Sequence, residues 1–186
     1  EGVSPDALKT YGSTIEEARA DLFGLYYIAD KKIVELGLLD SCDAYKASYY
    51  SYILNGLMTQ LVRITIGNNI EEAHMRNRSL IAHWCYEKGK KDNVIEFYRD
   101  NGNTYIRIND YHKLRWLFSE LLAEIQRIKS EGDYDAARKI VEDYAVKIDI
   151  DLHKEVLKRY SKLKLAPYKG FINPVLSPVF DSDGNI

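Results

Sequence analysis

Ser13-Thr14-Ile15-Glu16-Glu17-Ala18-Arg19-Ala20-Asp21 opens the longest helical pattern in the first third of the chain, and three carboxylates crowd its start. Glu17 and Asp21 are four residues apart, so they project from one helix face, one turn above the other. Two readings follow from the pattern. Ser13-x-x-Glu16 and Thr14-x-x-Glu17 each fit a capping box, and acids in a first turn complement the helix dipole. Alternatively, one carboxylate is a metal ligand and a second orients a neighbouring ligand.

Outward from this stretch the helix is expected to run from about Thr14 to Leu36, with Gly37 as its stop. Leu22, Leu25, Tyr26, Ala29, Ile33 and Leu36 share its apolar face. At ~100° per residue, Glu17 and Asp21 lie roughly 110° from the centre of that stripe, at the edge of the core. A second helix is expected from about Asp43 to Ile66, capped by Ser41 or Asp43. Gly56 inside it costs about 1 kcal/mol relative to Ala and marks close packing against a neighbour. Tyr45, Tyr49, Tyr50 and Tyr52 crowd this helix; they read as a packed surface whose hydroxyls find partners, or as the lining of a cleft.

The third helix is expected to begin at Asn69, with Glu72 at N3, and to end at Gly89. Ile70, His74, Ile81 and Cys85 share one face, with Arg78 beside them; on that pattern His74 reads as a core histidine. Val94–Arg99 and Thr104–Ile108 flank Asp100-Asn101-Gly102-Asn103 and read as a hairpin, too small to stand without helices behind it. Asp110 caps a long helix with the apolar stripe Leu114, Leu117, Phe118, Leu121, Ile125 and Ile128. Asp133 caps the next helix, and Asp149 or Asp151 the last, to about Leu163. Pro167, Pro174 and Pro178 then forbid a helix. The expected fold is mainly α, about six helices with one small β-hairpin over residues 1–165, followed by an extended tail over 166–186.

Composition narrows the function. The chain has 186 residues, with 26 bases against 28 acids. A net charge of −2 offers no footprint for nucleic acid. No apolar run approaches a membrane span. Cys42 and Cys85 fit no metal or redox spacing and read as reduced core thiols. The chain is assigned to the cytoplasm. No Gly-rich phosphate loop, serine elbow or C-x-x-C occurs.

Glu16-Glu17-Ala18-Arg19-Ala20-Asp21, followed by Leu22-Phe23-Gly24-Leu25-Tyr26, resembles the second zinc motif, E-E-C-R-A-E, of the dipeptidyl peptidase III family. Ala73-His74-Met75-Arg76-Asn77-Arg78 is similar to that family's A-H-M-x-x-R stretch. Lys129-Ser130-Glu131-Gly132-Asp133, with Ala136 and Ala137, resembles the family's C-terminal helices. The likeness extends from about Ser13 to Leu163. Ala18 stands where the family has Cys, and Asp21 where it has Glu.

The resemblance implies that Glu17 is a zinc ligand. Glu16 and Asp21 would orient the ligand histidines, His74 would stabilise the transition state, and Arg78 would lie near the substrate. The other two ligands are expected from an H-E-x-x-G-H, whose Glu serves as general base. That hexapeptide does not occur here, where the histidines are His74, His83, His112 and His153. The chain is therefore expected to be a C-terminal part of a zinc exopeptidase that releases N-terminal dipeptides from oligopeptides, inactive alone, with a missing N-terminal lobe as its partner. The alternative is a non-catalytic helical interaction module with a peptidase-like fold.

Overall fold

The computed structural model describes residues 3, 4, 6–165, 178, 179 and 182. Among them are seven α-helices and one antiparallel hairpin: α1 (Gly12–Ile28), α2 (Lys31–Glu35), α3 (Tyr45–Leu57), α4 (Ala73–Gly89), β1 (Ile95–Asp100), β2 (Asn103–Ile108), α5 (Tyr111–Glu131), α6 (Tyr134–Tyr144) and α7 (Ile150–Ser161). α4 is the hub, packing against α1, α3, α5 and α6, while α1 also lies along α5. The mainly helical architecture matches the sequence expectation. The tail expected over 166–186 falls almost wholly outside the described residues.

Three boundaries differ from expectation, each for a local reason. The first helix is two helices. Asp30 takes an extended conformation, its carboxylate accepts from the Lys32 N–H, and α2 starts afresh. A side-chain cap of this kind offers the backbone an alternative to continuing the helix. Gly37, at φ 71°, terminates this second piece. α3 has no side-chain cap from Ser41 or Asp43 and stops at Leu57; the chain kinks at Met58 into a short 3₁₀ turn, Thr59–Arg63. The kink serves α7, because His153 donates from Nε2 to the carbonyls of Leu61 and Ile64 at 2.9 and 3.1 Å.

α4 starts at Ala73 rather than near Asn69. Ile70 is buried and its N–H is spent on the Val146 carbonyl, so that segment stays extended. Glu72 then caps α4, accepting from the N–H groups of His74 and Met75.

Elsewhere pattern and fold agree. All six expected stripe residues of α5 are buried, at no more than 2% exposure. Asp110, Asp133 and Asp149 cap α5, α6 and α7. The hairpin turns on Asn101 and Gly102, at φ 47° and 77°, with Asp100 opposite Asn103. Positive φ at both central residues is the turn that matches strand twist. Ile95, Ile106 and Ile108 are buried, so the ribbon does lie against the helices. Glu155 of α7 fixes its end by accepting from the Thr104 N–H and hydroxyl. Cys85 is a buried core thiol, whereas Cys42, against expectation, is exposed; both are free.

Candidate functional site

The carboxylates of α1 are not caps. α1 begins at Gly12 with Tyr11 as its N-cap, and no side chain closes its first turn. A short 3₁₀ turn, Lys9–Tyr11, leads directly into α1, so Ser13 and Thr14 are already helical. Thr14 is buried, and the two capping boxes do not form. Glu16, Glu17 and Asp21 therefore spend their acceptor capacity on side chains: Glu17 and Asp21 on other helices, Glu16 on Arg19 of its own helix and Lys129 of α5.

Glu17 and Asp21 both meet α4. Glu17 Oε2 lies 3.1 Å from Nδ1 of His74, with the two side chains 36% and 58% exposed. This accessibility removes the core-histidine reading. One turn along, Asp21 Oδ2 accepts from Asn77 Nδ2 at 2.9 Å and from the Tyr52 hydroxyl of α3 at 2.8 Å. The Tyr52 phenol is pushed well above its ordinary pKa by burial and by Asp21, so it remains a donor. Glu17 with Asp21 (four apart) and His74 with Asn77 (three apart) thus form facing rungs of one ladder between α1 and α4.

Glu16 points another way. Arg19 holds it through Nε and Nη2, and Lys129 of α5 approaches the same carboxylate. Glu16 and Glu17 border a cleft of about 510 Å³ shared with Ser4, Leu8, Ser13 and Lys129. Arg78 follows Asn77 on α4 and makes no hydrogen bond or ion pair among the described residues. Its charge reaches Tyr52, lowering the hydroxyl's pKa against the larger effect of burial.

The structure brings Glu17, Asp21 and His74 together and turns Glu16 toward α5. The sequence reading missed Tyr52 and Asn77. Asn77 carried a signal: it lies one turn from His74, as Asp21 lies one turn from Glu17. Tyr52 carried none, because its reach to Asp21 depends on how α3 crosses α4.

Among the described residues, no three His, Cys, Asp or Glu side chains converge in a way that would hold a metal. Two of the other histidines are hydrogen-bonded to carbonyls. His153 is buried against Leu61 and Ile64, and His83 donates from Nδ1 to the Ser79 carbonyl at 2.9 Å. His112 borders a separate cleft with Asp30 and Arg115. A half-exposed carboxylate beside a histidine fits one ligand's share of a zinc site, which takes three protein ligands when catalytic.

Comparison with known proteins places the chain in a family. The sequence model of peptidase family M49 matches residues 5–171. Dipeptidyl peptidase 3 of Mus musculus is 28% identical over 171 residues, covering 84% of this chain and 23% of the mouse protein. The Rattus norvegicus protein of the same name is 27% identical over 172 residues, again 84% and 23%. The chain thus spans about a quarter of the length of these relatives. A solved structure of DPP III from Caldithrix abyssi shares the fold, with TM-score 0.60 at 24% identity, over 82% of this chain and 26% of that one. The match to the family model across nearly the whole chain, on a helical fold shared with a solved relative, makes this protein a member of peptidase family M49.

Proposed function

We propose that this chain forms the helical part of a zinc-dependent exopeptidase that releases dipeptides from the N-termini of oligopeptides. The observation that carries the reading is the apposition of Glu17 and His74 across α1 and α4. Glu17 is the zinc ligand this chain contributes. Zinc, when bound, would supply polarisation of the scissile carbonyl and a water of lowered pKa. Two histidine ligands come from the parent polypeptide's other part, which is also this chain's partner.

The residues present have distinct tasks. With Glu17 committed to a metal, His74, whose Nδ1 lies 3.1 Å from that carboxylate, would be available to donate a hydrogen bond to oxygen charge developing on the substrate. Arg78, with no competing carboxylate among the described residues, offers a planar fork to a substrate carbonyl or carboxylate. Asp21 accepts from a ligand histidine and fixes its orientation. Glu16, neutralised by Arg19 and Lys129, orients the other only if it leaves one of these cations. The 186-residue chain alone neither holds zinc tightly nor turns over peptide, because one carboxylate cannot replace three ligands.

The test is the zinc content of the parent polypeptide and of its Glu17→Ala variant. One zinc in the parent, lost in the variant, supports the reading. Zinc absent from both, or retained equally by both, leaves a helical interaction module on a peptidase fold.

A further inference from the structure

Asp21 is one methylene shorter than the glutamate of the motif it resembles. Its position is nevertheless over-determined. Two donors from different helices, the Tyr52 hydroxyl and Asn77 Nδ2, converge on a single oxygen, Oδ2, at 2.8 and 2.9 Å. Oδ1 accepts nothing among the described residues. Asn77 is 1% exposed, and its own Oδ1 has no partner, so this amide is buried at the expense of one unmade hydrogen bond. Leaving such an acceptor unpaired costs stability. An apolar residue of similar size would avoid that cost; among the described residues, the donation to Asp21 is the one hydrogen bond the Asn77 side chain makes in return.

We propose that Tyr52 and Asn77 are positioning residues for the zinc site. By binding Oδ2 together they fix the carboxylate plane of Asp21 and reserve Oδ1 as the acceptor for a ligand histidine's N–H. A lone Asp at this point of α1 would choose among rotamers; with two donors on one oxygen it has a single orientation. The clamp joins α1, α3 and α4, so the shorter side chain is compensated by contacts from two neighbouring helices. A carboxylate held this way makes its histidine a more basic ligand, and losing such a partner typically weakens metal binding about 10–100-fold. Asn77 extends the role of α4 beyond His74, and Tyr52 brings α3 into the site.

This inference rests on the zinc-peptidase reading, and its test separates the two. Zinc dissociation constants are measured by chelator competition on the parent polypeptide, on Tyr52→Phe, on Asp21→Ala and on the double variant. Asp21→Asn, which keeps the side chain's shape, is the alternative background should Asp21→Ala not fold. The expected result is a roughly tenfold or greater weakening by Tyr52→Phe in the parent, and less than about twofold once Asp21 is gone, because the hydroxyl acts through that carboxylate. A merely structural Tyr52 would lower the unfolding midpoint in both backgrounds without this coupling in zinc affinity. Unchanged zinc affinity in Tyr52→Phe, or equal weakening in both backgrounds, overturns the proposal. Zinc retained after Glu17→Ala overturns the underlying reading instead.

Discussion

Gly56 of α3 and Arg78 of α4 meet backbone to backbone: a Cβ on residue 56 would stand 2.3 Å from the Arg78 carbonyl oxygen and 2.6 Å from the Ala82 Cβ. This close crossing brings Tyr52, one turn before Gly56, within reach of Asp21. It also sets the position of the α4 turn that carries Asn77 and Arg78.

Gly56→Ala is therefore expected to destabilise the protein although alanine is the better helix former. The propensity gain is about 1 kcal/mol. Overpacking costs about 1–3 kcal/mol and more where backbone must move, as it must here. Urea unfolding should show a net loss of about 2 kcal/mol, the upper overpacking cost less the propensity gain. In the parent polypeptide, zinc affinity should weaken in parallel, because the α3–α4 spacing sets the clamp on Asp21.

His74→Ala is expected to separate chemistry from metal binding. Losing one donor to a developing oxyanion costs about 10²–10³ in kcat. Zinc content should stay at the parent's level, since Glu17 remains. Steady-state kinetics on a dipeptide-releasing substrate, beside metal analysis of the same samples, checks both halves.

Burial pushes the His83 imidazole below its ordinary pKa, outweighing the hydrogen bond to the Ser79 carbonyl and the Glu87 charge, which act the other way. The folded state thus takes up this proton less readily than the unfolded chain, whose histidine titrates near 6.5. The His83 contribution to stability is complete above about pH 6.5 and is lost as pH falls toward the folded pKa. Thermal melts of the parent and of His83→Gln between pH 7 and 5 should diverge in slope, with the shallower pH dependence in the variant.

Glu155 gathers the Thr104 N–H and hydroxyl together with Arg159 and Arg99. Burial raises its pKa, but these hydrogen bonds and charges prevail and hold it below the usual carboxylate value. Glu155→Ala should release the turn end of the hairpin without unfolding the helices. Amide exchange at Thr104 should quicken by about 10–100-fold, the equivalent of a charged hydrogen bond of about 1.5–3 kcal/mol. Exchange at Leu121 in α5 should not change.

Much of this fold is legible in the sequence because its signals are local. The α5 stripe, the caps at Asp110, Asp133 and Asp149, and the Asn101-Gly102 turn each depend on a few adjacent residues. Boundaries fail where tertiary contacts decide them. The Ile70 N–H is taken by Val146, 76 positions along the chain, and no local pattern reports that. The candidate site divides in the same way. Glu17, Asp21 and His74 were found through short motifs, and their approach across α1 and α4 agrees with the edge position computed from helical spacing. The cap reading of Glu16 and Glu17 failed because the helix starts earlier than its most cap-like residues. Tyr52 stayed hidden because a tyrosine in a tyrosine-rich helix carries no mark of its partner.

The packing of α1 along α5 also bears on how the protein is made. α1 leaves the ribosome well before the helix that covers it, which is completed only at Glu131, about a hundred residues later. At typical synthesis rates of about 5–20 residues per second, that interval lasts roughly 5–20 s. Throughout it, Ile15, Ala18, Leu22 and Leu25 lack their final cover, and the carboxylates beside them lack α4 for most of that time. The nascent chain thus displays an acidic, half-apolar helix for seconds before its neighbours exist to cover it.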